Sequence, residues 1–92
     1  ANSDSRLKEE VKPIENALDK VDAINGVTFS LIDGDDTRRV GVIAQDVQAV
    51  LPEAVHADED GLLSVAYGNM VGLLVEAVKE LRAEVAELKG EK

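Results

Sequence analysis

The sequence predicts an α+β fold: a small helical domain with two β-hairpins and a long C-terminal helix that forms a coiled coil. Three observations carry this. Val71, Leu74, Val78, Leu81, Val85 and Leu88 follow one another at alternating steps of three and four, a heptad with Val at a and Leu at d. β-prone runs flank Asp33-Gly34-Asp35-Asp36 and again Asp58-Glu59-Asp60-Gly61, which is the layout of hairpins. Ile14, Ala17, Leu18, Val21 and Ile24 recur at helical spacing.

Taken in order, residues 1–12 form a polar, charged segment in which only Leu7 and Val11 are large and apolar. Pro13 suits the first turn of a helix, where its missing N–H is not needed. The spacing predicts that helix over Pro13–Ile24, closed by Asn25-Gly26. Val27 to Leu31 then alternates apolar with small polar residues, and Arg38 to Ile43 answers it across the first acidic turn. A calcium loop would need spaced ligands and a closing Glu, so Asp33–Asp36 reads as a solvated turn. Ala44–Leu51 reads as a short helix stopped by Pro52, with Val47, Val50 and Leu51 on one side. Val55–Ala57 and Leu62–Val65 form the second hairpin. His56 lies in its first strand with no Asp–His–Ser order around it.

The long helix runs over Tyr67–Leu88, with an oligomerisation stretch to residue 89 and fraying at Gly90-Glu91-Lys92. Its 3.5-residue period keeps one seam on a partner helix as the two supercoil. Glu84 at g precedes Lys89 at the following e position, a pairing that attracts parallel neighbours. An amphipathic helix packed on its own domain is the alternative, but it needs no strict heptad. Self-association is the expectation.

Composition narrows the function. A chain of 92 residues with one Phe, one Tyr and no Trp builds its core from aliphatic side chains, and oligomerisation would add burial that a chain this size lacks. No cysteine is present, which removes disulfides and thiolate chemistry. A net charge of −9 argues against nucleic acid and anionic membranes. No apolar run reaches the ~20 residues of a membrane span, and no signal-peptide pattern is visible. With a single His, no multi-His metal site can form, and neither metal nor cofactor is expected.

Only Ser3-Asp4-Ser5-Arg6-Leu7-Lys8 offers a nucleophile with its own base. A serine hydroxyl needs a proton acceptor, and a lysine serves once desolvation or a nearby cation favours its neutral form. Arg6 is such a cation. Ser–Lys pairs are a variant of triad logic. Ser5 to Lys8 has the spacing of one helical turn, whereas Ser3 to Lys8 needs a bend before any helix starts. Spacing alone leaves both serines open; either could simply be solvated, and Ser5 could cap a short helix over Arg6–Val11. Gln45 and Asp46 are candidates to line a cleft or donate to an oxyanion, with capping of the Ala44–Leu51 helix an equal reading. Arg38 and Arg39 sit in a hairpin strand, and Tyr67 is expected to pack at the head of the long helix.

Several ordered blocks then point one way: Ser3-Asp4-x-Arg6-Leu7-Lys8-x-x-Val11, Gly41-Val42-Ile43-Ala44-Gln45-Asp46-Val47, Leu51-Pro52-Glu53, Asp60-Gly61-x-x-Ser64-Val65-x-Tyr67, and the helix Leu73–Leu81. Over Ser3 to Leu88 the chain resembles the C-terminal intramolecular chaperone domain of endosialidases and phage tail spikes and fibres, a self-cleaving serine peptidase family. That family also includes a membrane-bound transcription factor of animals.

The resemblance implies a homotrimer that brings the β-rich shaft of its own parent protein into register and then cuts itself off. It assigns the nucleophile to Ser3, the base to Lys8 and the scissile bond to Asn2–Ser3, with Ala1-Asn2 ahead of the cut. It implies action in the host cytoplasm during phage assembly, the freed domain being absent from the virion or held there without a covalent bond. Val at a with Leu at d is the pattern of two-stranded coils, but the globular part can set the stoichiometry. The alternative is a trimerisation or receptor-contacting tip that stays attached, its Ser–Lys pair inert.

Overall fold

In a computed structural model, which describes residues 2–90, the chain is built on one long helix with two unlike faces. Ala1, ahead of the expected cut, and Glu91-Lys92, at the expected fraying end, lie outside the described residues. The order is a 3-10 turn over Ser5–Leu7, α1 (Ala17–Asp22), β1 (Gly26–Phe29), β2 (Arg39–Val42), α2 (Ala44–Val50), a 3-10 turn over Pro52–Ala54, β3 (Val55–Ala57), β4 (Leu63–Val65) and α3 (Tyr67–Leu88).

The two antiparallel hairpins are separate two-stranded sheets. In the first, Gly26 pairs with Val42 and Phe29 with Arg39; in the second, Val55 pairs with Val65 and Ala57 with Leu63. The Asp58 carboxylate closes the second turn by accepting the N–H groups of Asp60 and Leu62. Gly61 follows at φ 81°, a left-handed conformation that costs glycine little. In the first turn the Asp35 carboxylate accepts the Thr37 N–H. Both acidic clusters thus spend carboxylates on their own backbone.

The core consists of Ala17, Val47, Leu51, Ala54, Met70, Leu73 and Ala77, with Ile14, Leu18, Val21, Ile24, Val42, Val50, Val55 and Val65 packed around it. Helix α3 contributes Met70, Leu73 and Ala77 to that core and packs against α1. No residue of α3 after Ala77 is fully buried, so the helix projects beyond the body. The Cα radius of gyration is 16.4 Å, against about 12 Å for a compact domain of this length. No helix among the described residues is long and apolar enough to cross a membrane.

The first helix departs from expectation. It spans only Ala17–Asp22, not Pro13–Ile24, because Asn16 takes a left-handed conformation at φ 54°, which Asn tolerates better than most residues. The Glu80 carboxylate of α3 accepts the N–H groups of Ala17 at 2.8 Å and Leu18 at 3.0 Å, supplying from another helix the cap that Asn16 does not provide. Residues 11–14 instead run as a strap along α3. They flank a groove with Gly72, Val75, Glu76 and Lys79, and the Ile14 side chain lies where a Cβ on Gly72 would meet it at 3.6 Å. Helical spacing at Ile14 therefore reflects burial in the strap. At the other end Asn25-Gly26 is not the stop: α1 closes at Ala23, whose N–H bonds to Lys20, and Gly26 opens β1.

Those two backbone N–H groups, Leu18 first, hold the Glu80 carboxyl below the usual carboxylate range, with a smaller contribution from the Lys20 charge. A depressed folded value means that the stabilisation is present above the unfolded value of about 4.3 and is lost as the pH falls through the folded one. Glu80→Gln is therefore expected to lower the thermal midpoint at neutral pH, with the gap to the parent closing in acid. Thermal melts across pH check this, and an equal or pH-independent midpoint would contradict it.

Candidate active site

Ser3 and Lys8 are brought together by local backbone geometry. Asp4 starts the 3-10 turn as its N-cap: its carboxylate accepts the Arg6 N–H at 2.9 Å and its carbonyl accepts the Leu7 N–H at 3.0 Å. The Lys8 N–H then bonds to the Ser5 carbonyl at 3.1 Å, closing the turn. This is the bend that a five-residue spacing needs. It sets the Lys8 Nζ 2.8 Å from the Ser3 Oγ, hydrogen-bond distance for a base and its nucleophile. Ser5 meets Lys8 only through the backbone bond. Asn2 sits one residue ahead, exposed like the whole stretch to Pro13.

Arg6 does not serve as a free cation beside Lys8. Its guanidinium forks onto Asp4, with the Arg6 Nη2 2.8 Å from Oδ2 and Nε 3.1 Å from Oδ1. That guanidinium, and then the Arg6 N–H, hold the Asp4 carboxyl below the usual range, while Asp4 in turn raises Arg6. The motif spacing alone gives Asp4 no task. Its i, i+2 spacing to Arg6 and the preference of Asp for N-caps were the available signal.

Gln45 and Asp46 stand elsewhere, on the first turn of α2. No hydrogen bond or ion pair joins them to residues 3–8 among the described residues. Gln45 lines an open cleft of about 340 Å³ between the two hairpins, with Phe29, Val42, Leu63, Val65 and Tyr67. Neither residue caps α2 through a side-chain bond, since Ile43 is the N-cap and makes none. Asp46 still suits the positive end of the helix dipole. Tyr67 is half exposed, and its hydroxyl lies so close to the backbone that a Cβ on Gly41 would meet it at 2.5 Å. His56 is exposed in β3 opposite Ser64. Arg38 bonds Thr28 across the first hairpin at 2.8 Å.

The heptad residues all face away from the chain's own core. Val71, Leu74, Val78 and Leu81 are between 50% and 64% exposed, Val85 42% and Leu88 88%. Val75 and Lys79 line both the groove under the strap and the apolar groove along Val71, Leu74 and Val78. The strap of residues 11–14, which follows the dyad segment in the chain, thus borders the seam.

What fold and site define is a small α+β domain with an exposed Ser–Lys pair and an exposed helical seam. Residues 3–56 match a family described as chaperone of endosialidase, which its name also labels a peptidase. The chain belongs to that family. It is 48% identical over 95 residues to the long tail fiber protein Gp37 of Enterobacteria phage K3, covering 95% of this chain and 8% of that protein. Against the Gp37 of Enterobacteria phage T2 the identity is again 48%, over 95% of this chain and 7% of the relative. The Gp37 of Salmonella phage S16 is 33% identical over 96% of this chain and 13% of its own length. The chain therefore spans less than a tenth of the first two relatives.

Proposed function

We propose that this domain trimerises a phage tail fibre or tail spike, registers the folding of its β-rich shaft, and then releases itself by cutting before Ser3. In this reading residues 1–12 are the cleavage-site segment, 13–66 the globular part and 67–89 the oligomerisation helix. The observation that carries it is the division of labour on α3, where Met70, Leu73 and Ala77 are buried in the chain's own core while the whole heptad seam stays exposed. Three copies burying that seam would gain apolar burial that one copy lacks.

Folding a triple-stranded shaft requires non-local pairing, whose alignment cost precedes any reward. A docked trimer supplies register and high effective concentration at the outset. Cleavage afterwards makes the step irreversible and leaves the shaft kinetically trapped. The tail fibre relatives and the family's name support both halves of this account.

In the cutting step, the Ser3 Oγ attacks the carbonyl carbon of Asn2 and gives its proton to Lys8. The C–N bond breaks as Lys8 passes that proton to the departing Ser3 nitrogen. Water then hydrolyses the Asn2 ester, freeing the carboxylate and restoring the hydroxyl. The Ser3–Lys8 contact exists within one chain, so docking is not needed to bring the two side chains together. What docking adds is dryness: a partner subunit packed over residues 3–8 would exclude water and favour an uncharged amine. The work takes place in the host cytoplasm during assembly.

The exposure of Ser3 and Lys8 favours a second reading for any undocked copy, an inert pair on a tip that stays attached. The test of the chaperone role is to produce the shaft with and without residues 1–92 behind it. With the domain, soluble, protease-resistant oligomeric shaft is expected; without it, aggregated or protease-sensitive chains. Equal yields of native shaft would overturn the role.

A further inference from the structure

We propose that Asp4 and Arg6 form a positioning clamp that holds Ser3 and Lys8 in reach of each other; this rests on the self-cleavage reading above. One carboxylate does two jobs. Its Oδ1 caps the turn by accepting the Arg6 N–H, and both oxygens grip the Arg6 guanidinium. The main-chain bonds of Leu7 to Asp4 and of Lys8 to Ser5 then fix the turn that brings the Lys8 side chain back over Ser3. None of the turn's own residues is buried, and every residue from Asn2 to Pro13 is exposed. Among the described residues, its internal braces are these bonds.

The same fork leaves Arg6 paired, so its charge is spent on Asp4. Arg6 thus acts on geometry through Asp4, and neither residue touches the reacting atoms. Because a reaction of this kind runs only from conformers with the base in reach, loosening the turn lowers the rate in proportion to the time the pair spends apart. An exposed ion pair is worth a factor of up to about five, and an N-cap roughly another five. Arg6→Gln should therefore slow cleavage about threefold, and Asp4→Ala, which removes cap and fork together, by about tenfold to twentyfold.

The test uses the chain with its native upstream residues in the assembled state, following loss of the uncut form by intact mass for the parent, Asp4→Ala, Arg6→Gln and the double variant. Expected are the slowings above, a double variant no slower than Asp4→Ala because one clamp is broken twice, and an unmoved inflection in the pH–rate profile. Thermal midpoint and sedimentation should stay those of the parent. A rate for Asp4→Ala within about twofold of the parent, additive losses, or a displaced pH inflection would overturn the clamp. Amide exchange at Leu7 and Lys8 reads the turn without any cutting. Faster exchange in Asp4→Ala is expected, and unchanged exchange overturns the clamp by itself. A parent that never cuts, yet shows faster exchange in the variant, would instead count against the peptidase reading.

Discussion

Ser3→Ala is expected to abolish self-cleavage, and Lys8→Met to do the same. Either change should lower the rate by roughly three orders of magnitude or more, because members of a nucleophile–base unit fail together. Lys8→Arg is not expected to rescue, since a guanidinium stays protonated and cannot accept the serine proton. Ser5→Ala provides the contrast. The Ser5 side chain makes no bond to Lys8, and its carbonyl, which holds the turn, survives the substitution. Its rate should stay near that of the parent. First-order loss of the uncut chain, followed by intact mass in all four variants, checks this. Loss of cutting in Ser5→Ala with cutting retained in Ser3→Ala would reverse the assignment.

The second large effect belongs to the seam. Leu74→Glu with Val78→Glu places two carboxylates where partner helices would meet, and an unpaired charge taken out of water costs several kcal/mol. Each aliphatic side chain removed also forfeits part of the about 1.5–3 kcal/mol that full burial supplies. Both positions are at least half exposed in the single chain, so the fold itself should survive with its helical signal intact. The double variant is expected to sediment as a monomer at concentrations where the parent is oligomeric, and to lose self-cleavage with it. An oligomer that persists would remove the seam from the account. Leu73, one residue away and fully buried, would give the opposite pattern, since its truncation to alanine costs the fold itself about 2–5 kcal/mol.

How far the sequence revealed all this depended on distance along the chain. Helix α3 ends where the heptad does, because a repeat sustained over that length overrides local ambiguity. The hairpins were legible from their turns: β3 has the expected bounds, and the other strands stop short where pairing ends at Ser30, Arg38 or Leu62. The first helix was overcalled. Ile14 has the right phase for it, yet its burial comes from the strap lying over Gly72, and the true start is set by Glu80, more than sixty residues away. Spacing within one segment cannot show such a cap. In the site, the five-residue step from Ser3 to Lys8 demanded a bend, and the turn over Ser5–Leu7 is that bend. Arg6, the expected cation beside Lys8, is instead forked onto Asp4, which is equally near in the chain but of opposite charge. Gln45 and Asp46, candidates for a cleft or a helix cap, lie on the first turn of α2, and Gln45 lines the cleft between the hairpins.

The measurement that bears most directly on the central claim is the intact mass of the chain extended by its native upstream residues, followed over time after refolding at a series of concentrations. The account predicts a product that begins at Ser3, appearing at a rate that rises with concentration and levels off once sedimentation shows the oligomer complete. A chain that stays uncut when fully assembled, or one that cuts equally fast as a monomer, would contradict it.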